Sequence, residues 1–436
     1  MKPRLIGRAA AVLGVLLLVL GGAVVGLNLR DETSVSADAD SPATSAPAST
    51  PAEFLQRGAY LARAGNCQGC HTQRGGAPYA GGLGLETPFG TVYSSNLTPD
   101  PKTGIGSWTS AHFWRALHNG RSKDGRLLYP AFPYPNYTQV TRADADALFA
   151  YLKSQTPVEQ PATPNALRWP YSTQAALAVW RALYFSPGVY QDEPRQSADW
   201  NRGAYLVRGL GHCAACHASR NALGAPENEQ ALSGGLIPMQ NWYAPSLASP
   251  AEAGVGAWPQ ADIVRLLQSG VSAHASAIGP MAEVVLNSTQ YLSPADLGAM
   301  AVFLKALPQA PVETATASAA PTGSRNAARG AQLYEHHCAQ CHGEQGQGVA
   351  GAYPRLAGNR AVTMASTANL VQIVLNGGYA PATAGNPRPF GMPPYVLVLS
   401  DSDIAAVLSH LRTSWGNRAP EVTEFEVSRL RAGMGS

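Results

Sequence analysis

The hydrophobic pattern of the chain begins with a continuous apolar run at residues 9–29, which follows Lys2, Arg4 and Arg8. About twenty apolar residues are enough to cross a bilayer as a helix. The basic residues before the run predict an N-terminus in the cytoplasm and the rest of the chain across the membrane. No small-x-small cleavage signal directly follows the run, so residues 1–30 are interpreted as an uncleaved signal anchor in preference to a removed signal peptide.

Beyond residue 50, apolar positions recur with helical spacing in three successive segments. Each segment opens with Arg-Gly-Ala-x-Leu and closes with a helix whose Ser or Thr cap is followed three residues later by Asp. The openings are residues 57–61, 202–206 and 329–333, and the cap pairs are Thr141/Asp144, Ser293/Asp296 and Ser400/Asp403. Such pairs mark helix N-termini. Tyr151, Phe303 and His410 share one offset from the caps, so His410 is predicted to be a packing residue.

Stretches of different composition separate these segments. Residues 31–52 and 309–325 are rich in Ala, Thr and Pro and predict flexible linkers. An insertion at residues 155–197 contains an apolar and aromatic helix candidate at residues 175–185, flanked by prolines. This helix either packs neighbouring segments together or offers a docking surface for a partner subunit or the membrane.

Composition and charge narrow the class of protein. The chain has 436 residues, with 44 Gly, 34 Pro and only 14% charged residues, which indicates several small, loop-rich domains. The net charge of +3 is too small to indicate a nucleic acid as partner.

All six cysteines fall in three copies of the pattern Cys-x-x-Cys-His. The residues are Cys67, Cys70 and His71, then Cys213, Cys216 and His217, then Cys338, Cys341 and His342. On one helical turn, positions i, i+3 and i+4 project from the same face. Two thiols there can form thioethers to haem while the histidine binds the iron, which is the attachment signature of c-type haem. A zinc site needs four ligands and a redox thiol pair needs no histidine, so the pattern predicts three covalent haem c groups. No catalytic residue is identified.

The sixth iron ligand is predicted to differ between the segments. Met281, in Gly-Pro-Met, and Met392, in Gly-Met-Pro-Pro, lie in proline-rich loops before the closing helices of the second and third segments. Methionine sulfur raises the potential of haem iron, which suits an electron carrier. The competing interpretation is that these two methionines only fill gaps in the packing.

In the first segment, Phe132 stands where the methionine is expected. His118 is the leading candidate for the sixth ligand of this haem, with His112 as a second candidate and an open iron site as a further possibility. A protonated histidine near a helix C-terminus also interacts favourably with the helix dipole. This interaction alone would explain the position of His118, without any role in binding iron.

The repeated segments resemble the cytochrome c domain, an all-α fold in which the first and last helices cross beside a covalently bound haem. The resemblance implies three tandem cytochrome c-like domains after an N-terminal membrane-anchor or signal helix. The implied organisation is an anchor or signal at 1–30, a linker at 31–52, cytochrome c domains at 53–154, 198–308 and 326–416, the insertion at 155–197, a second linker at 309–325 and a C-terminal tail at 417–436.

Four further strings extend the resemblance: residues 93–100 (YSSNLTPD), 128–134 (LYPAFPY), 199–206 (DWNRGAYL) and 279–285 (GPMAEVV). With them, the chain resembles the triple-haem cytochrome c subunit of bacterial membrane-bound dehydrogenases that oxidise alcohols, aldehydes or gluconate. The resemblance implies a separate catalytic subunit with a quinone, flavin or molybdenum cofactor, and ubiquinone or a downstream cytochrome or oxidase as acceptor. It also implies a location on the periplasmic side of the cytoplasmic membrane. Phe132 departs from members with methionine there.

Two other functions stay open at this point. The chain could be a multi-haem c subunit of a terminal oxidase, since some oxidases carry anchored subunits of this kind. Alternatively, an open iron at the first haem could bind peroxide, which would make the chain a haem enzyme. The four strings favour the dehydrogenase subunit.

Overall fold

The computed structural model describes residues 3–30, 32, 50–228, 231–309 and 325–432. Most of the predicted linkers at 31–52 and 309–325 therefore lies outside the described residues. The chain divides into two units, one formed by residues up to 62 with 70–191, the other by residues 63–69 with those from 192 onward.

The chain up to residue 191 is mainly helical. Its helices are α1 (Pro3–Asn28), α2 (Pro51–Ala64), α3 (Cys67–Cys70), α4 (Ser110–Asn119), α5 (Tyr134–Tyr137), α6 (Arg142–Lys153) and α7 (Gln174–Tyr184). Three short strands, β1 (Gly84–Thr87), β2 (Gly90–Tyr93) and β3 (Ala166–Leu167), form an antiparallel sheet in the order β1-β2-β3. Helix α4 ends at Gly120, which adopts the left-handed conformation.

The rest of the chain repeats this helical pattern twice. The second segment contains α8 (Ala198–Ala204), a π-helical turn (Tyr205–Leu210), α9 (Ala214–His217), β4 (Gly235–Leu236), β5 (Tyr243–Ala244), α10 (Gln260–Ser269), α11 (Gly279–Asn287), a 3₁₀ turn (Thr289–Tyr291) and α12 (Pro294–Lys305). The third contains α13 (Arg325–His337), α14 (Ala339–His342), α15 (Arg360–Thr363), α16 (Ala368–Asn376), β6 (Gly378–Tyr379), β7 (Gly391–Met392), α17 (Asp401–Thr413) and α18 (Glu424–Ala432). Strands β4 and β5 pair antiparallel, as do β6 and β7.

Each segment also carries a small antiparallel β-element beside its helices. The C-terminal tail at 417–436 contains helix α18, whose Val427 and Leu430 are buried against the third segment. Arg431 fixes this helix by donating hydrogen bonds to Asp401 at 2.5 Å and to the Val396 carbonyl at 2.7 Å.

A glycine marks the place where the first and last helices of each segment cross. A Cβ added to Gly58 would lie 2.0 Å from the Ala147 carbonyl oxygen, and one added to Gly203 would lie 2.1 Å from that of Ala299. In the third segment, a Cβ on Gly330 would lie 2.3 Å from the Ala406 carbonyl oxygen. Only glycine allows two helix backbones to approach so closely. The Gly in each Arg-Gly-Ala-x-Leu opening is therefore the crossing point.

The aromatic residue that follows each helix cap at the same spacing packs against the crossing glycine of its own segment. If each glycine carried a Cβ, that atom would lie 2.7 to 2.9 Å from the Cβ of the aromatic residue in the same segment. The pairs are Gly58 with Tyr151, Gly203 with Phe303 and Gly330 with His410. His410 also contacts the rings of Tyr334 and Trp415. The prediction that His410 is a packing residue is confirmed.

An arginine–aspartate pair accompanies each crossing. Arg57 Nε donates to Asp144 Oδ1 at 2.7 Å, and Arg202 donates from Nε and Nη2 to both carboxylate oxygens of Asp296 at 2.7 Å. Arg329 Nε donates to Asp403 Oδ1 at 2.7 Å. These arginines belong to the three openings and these aspartates to the three helix caps. The pairs therefore join the beginning of each segment to its end.

Within the second unit, the second and third segments contact each other directly. Arg360 Nη1 donates to the carbonyl oxygens of Pro250 at 2.9 Å and Gly254 at 2.8 Å, and its guanidinium lies over the Trp258 ring. Tyr243 and Asn369 exchange two hydrogen bonds, at 2.9 Å and 2.8 Å. The two segments are therefore joined by polar contacts in addition to the linker.

Candidate haem-binding sites

Each Cys-x-x-Cys-His motif overlaps a short helix that follows the opening helix of its segment. These short helices are α3, α9 and α14, and all six cysteines are free of disulfide bonds. Within the described ranges, no cluster of three or more His, Cys, Asp or Glu side chains is arranged to hold a metal ion by itself. The arrangement of the motif residues on one turn is the one that the haem prediction requires.

The three motif histidines share one hydrogen bond. His71 Nδ1 donates to the Ser95 carbonyl at 2.7 Å, His217 Nδ1 to that of Pro245 at 2.7 Å, and His342 Nδ1 to that of Pro354 at 2.9 Å. A donor bond at Nδ1 fixes the tautomer and leaves the lone pair of Nε2 for a metal. All three imidazoles are therefore held in the orientation of an iron ligand.

A glycine turn holds the backbone of each motif histidine. The carbonyls of His71, His217 and His342 accept hydrogen bonds at 2.7 to 2.8 Å from the N–H groups of Gly81, Gly234 and Gly348, respectively. These glycines have φ values of 77°, 85° and 65°, which other residues rarely adopt. A Cβ on any of them would approach the backbone at or beside the carbonyl that binds the histidine ring. The turn thus brings the segment with the acceptor carbonyl next to the motif.

Burial sets the protonation of the sites. It lowers the pKa of His71, His217 and His342, partly offset by the bonds to the backbone carbonyls. Neutral imidazole is the form that binds metal. Burial also raises the pKa of the Cys213 thiol to about 12 and that of Cys338 to about 11.

These residues fit haem c, because two thiols and an imidazole fixed by a backbone carbonyl lie within one turn of the chain. When bound, the haem supplies a one-electron iron couple whose potential depends on its axial ligands and on burial. The chain would contribute the thiols for covalent attachment and the orientation of the imidazole.

Met392 lies on strand β7, not in an irregular loop as the sequence suggested. Strand β7 is short and pairs with β6, and Met392 follows Gly391 in it. Met392 and Cys338 pack against the same apolar cluster, which includes the buried side chains of Tyr334 and Leu375. The methionine and the haem-attachment cysteine of the third segment therefore share one core.

Met281 also lies outside a loop, because it occupies the first turn of helix α11. Pro280 is the second residue of this helix, where its missing N–H costs nothing and its fixed φ suits a helix. Pro393 and Pro394 instead follow directly after strand β7. The ligand role of both methionines stays a prediction.

His118 lies near the end of α4 and is buried. Its Nδ1 bonds to the Thr138 carbonyl at 3.0 Å, and its ring stacks on Trp114 with centroids 4.6 Å apart. A bond from Nδ1 to a carbonyl is also found at the three motif histidines. His112 instead caps its own helix, since its Nδ1 accepts from the Thr109 N–H at 3.2 Å. His118 therefore stays the candidate for the first segment.

The sequence did not indicate the carbonyl acceptors of Ser95, Pro245 and Pro354. Every residue carries a backbone carbonyl, so its role as an acceptor leaves no mark in the sequence. A detectable signal was the glycine that follows each motif and forms the turn, at positions 81, 234 and 348.

Comparison with known proteins identifies the family. The family model for cytochrome c matches residues 55–156 and 327–415. The cytochrome c subunit of a quinone alcohol dehydrogenase from Gluconacetobacter polyoxogenes is 42% identical, covering 87% of this chain and 84% of the relative. The gluconate 2-dehydrogenase cytochrome c subunit of Pantoea cypripedii is 38% identical, covering 87% and 89%, and the fructose dehydrogenase cytochrome subunit of Gluconobacter japonicus is 35% identical, covering 90% and 85%.

These relatives are named as cytochrome subunits of dehydrogenases, which favours the dehydrogenase-subunit interpretation over the terminal-oxidase interpretation. This chain therefore belongs to the family of cytochrome c subunits of dehydrogenase complexes, and it is an electron-transfer protein that carries haem c.

Proposed function

We propose that the chain carries three haem c groups, one in each of the domains at 53–154, 198–308 and 326–416. The main support is the threefold recurrence of the same contacts. Every segment has a helix crossing at glycine, an Arg–Asp pair and a motif histidine bonded to a carbonyl. The second segment has all of these although the family model matches only the first and third.

The haems pass electrons from a catalytic subunit to ubiquinone or a downstream cytochrome. The relatives belong to alcohol, gluconate and fructose dehydrogenases, so the partner is a dehydrogenase subunit with a quinone, flavin or molybdenum cofactor. Helix α1 anchors the chain in the cytoplasmic membrane with the haem domains on the periplasmic side. Within the described residues, α1 is the one helix long and apolar enough to span a membrane.

The motif cysteines attach the haems, and His71, His217 and His342 bind the irons on one side. Met281 and Met392 bind the second and third irons on the other side, and His118 is the proposed sixth ligand of the first. Two methionine-ligated haems would then have high potentials, and a bis-histidine haem would have the lowest of the three.

Affinity purification of the full, haem-loaded chain from detergent-solubilised membranes tests the proposed partner. Mass spectrometry of the co-purifying proteins should find a dehydrogenase catalytic subunit, and its cofactor type will narrow the substrate. Recovery of a copper-haem oxidase core, or of the cytochrome alone after mild crosslinking, would reject this proposal.

Replacement of Met392 with His should lower the potential of one haem without removing it. A second imidazole stabilises ferric iron relative to thioether sulfur, so we expect a fall of roughly 100 mV or more, within the ~0.8 V range set by axial ligands. Spectroelectrochemical titration of the full chain measures this shift. Met364→His is the matched control, because Met364 is a buried packing residue of the same segment. An equal shift in both variants, or none in Met392→His, would exclude Met392 as a ligand.

A further inference from the structure

The C-terminal end of α1 is bonded into the first unit through one buried side chain. Asn28 is 8% exposed, and its Nδ2 donates to the Ala178 carbonyl of α7 at 2.9 Å. Arg181, also on α7 and 3% exposed, donates from Nε to Asn28 Oδ1 at 2.9 Å. The amide of Asn28 thus bonds to α7 through both its nitrogen and its oxygen. We call this contact the Asn28–Arg181 pair.

Further polar contacts surround the Asn28–Arg181 pair. Arg121 Nη2 donates to the Asn28 carbonyl at 3.0 Å, and Arg121 Nε lies 2.7 Å from Glu32 Oε1 in an ion pair. The Arg181 guanidinium lies over the rings of Tyr134 and Phe185. Loss of residues 1–30 would remove the oxygen that accepts from a buried arginine, which is costly. The contacts therefore favour an anchor that stays attached.

Helix α7 has two different faces. Leu177 and Arg181, one turn apart, are buried against the first unit. Val179 and Leu183, on the opposite face, are 48% and 64% exposed, and Trp169 before the helix is 82% exposed. The helix carries no acidic residue. Exposed Trp, Leu and Val on the outer face, with no acidic residue in the helix, are typical of a helix that lies in a membrane interface.

The contact between α7 and the end of α1 determines how deep α7 would lie in the membrane. The apolar stretch of α1 that could span a membrane runs from Ala11 to Asn28. The Ala178 carbonyl, in the middle of α7, is 2.9 Å from the Asn28 side chain. If α1 spans the bilayer, the middle of α7 is level with the boundary between hydrocarbon and headgroups.

We infer that α7 and the segment around Trp169 form a second membrane contact, in which the outer face of α7 enters the lipid headgroup layer. The Asn28–Arg181 pair holds the helix there. This inference rests on the proposed role of α1 as a membrane anchor. A lipid surface is favoured over a protein partner, because the contact is continuous with the end of the apolar helix.

Site-directed spin labelling of the full chain in phosphatidylglycerol/phosphatidylethanolamine nanodiscs, without a catalytic subunit, tests the inference. The native cysteines are consumed by haem, so single labels go on Trp169→Cys and Leu183→Cys. Leu18→Cys, in the middle of α1, reports on the anchor, and Lys102→Cys, on an exposed side chain, is the aqueous control. Collision rates with membrane-soluble oxygen and with a water-soluble nickel complex give the depth of each label.

Labels at 169 and 183 are expected to collide several-fold more with oxygen, relative to nickel, than the label at 102. A lipid-exposed label at 18 with aqueous labels at 169 and 183 would overturn the membrane contact alone. An aqueous label at 18 would overturn the anchor and this inference with it. If the labels at 169 and 183 become protected only when a catalytic subunit is added, the surface belongs to that subunit and the inference is wrong.

Discussion

A chain in which Cys213 and Cys216 are both replaced with Ala is expected to carry two haem groups, because the second motif then has no thiol for a thioether. The Soret absorbance per chain should fall by about one third, since three similar chromophores become two. Electron transfer from the catalytic subunit to the acceptor should fall sharply if the second haem lies on the path. Haemochrome absorbance, divided by the protein concentration, measures the first effect.

Ala215→Ser is the matched control for the second motif, because it changes an intervening position and keeps both thiols and His217. The control should retain full haem content. Unchanged absorbance in the double cysteine variant would show that the second motif binds no haem, although its histidine contact matches those of the other two.

Replacement of Gly203 with Ala should strongly destabilise the second segment. The new methyl group would lie 2.1 Å from the Ala299 carbonyl oxygen and 2.8 Å from Phe303 Cβ, so α8 and α12 must move apart. Overpacking of this kind costs about 2 to 3 kcal/mol or more. Hydrogen exchange of the α8 and α12 amides should therefore become roughly 30- to 150-fold faster, at about 1.4 kcal/mol per factor of ten.

Gly188→Ala provides the control for this substitution. A Cβ at Gly188 meets no atom within 4 Å, and its φ is not in the left-handed range. Exchange in the control should stay close to that of the unmodified chain. Equal exchange rates in the two variants would mean that the close approach at Gly203 is not what holds the segment together.

Much of the fold could be predicted because its signals are local. The cap before each closing helix acts within one turn, so the sequence placed the starts of these helices correctly, and it placed α7 to within one residue at each end. The offset shared by Tyr151, Phe303 and His410 was also visible, because repeats preserve positions.

Long-range partners could not be predicted. The arginine of the opening and the cap aspartate are both visible in the sequence, yet Arg57 and Asp144 are 87 residues apart and nothing local joins them. The bond between Asn28 and Arg181 spans 153 residues and depends on how α1 packs. Strands of two residues were missed because they carry no periodic pattern.

The most direct test of the account is the intact mass of the unmodified chain, measured after denaturation to remove any haem that is not covalently bound. The account predicts a mass increase equal to three haem groups per chain, with digestion placing one on each Cys-x-x-Cys-His motif. An increase equal to two haem groups or fewer in fully matured protein, with a motif cysteine pair left unmodified, would contradict it.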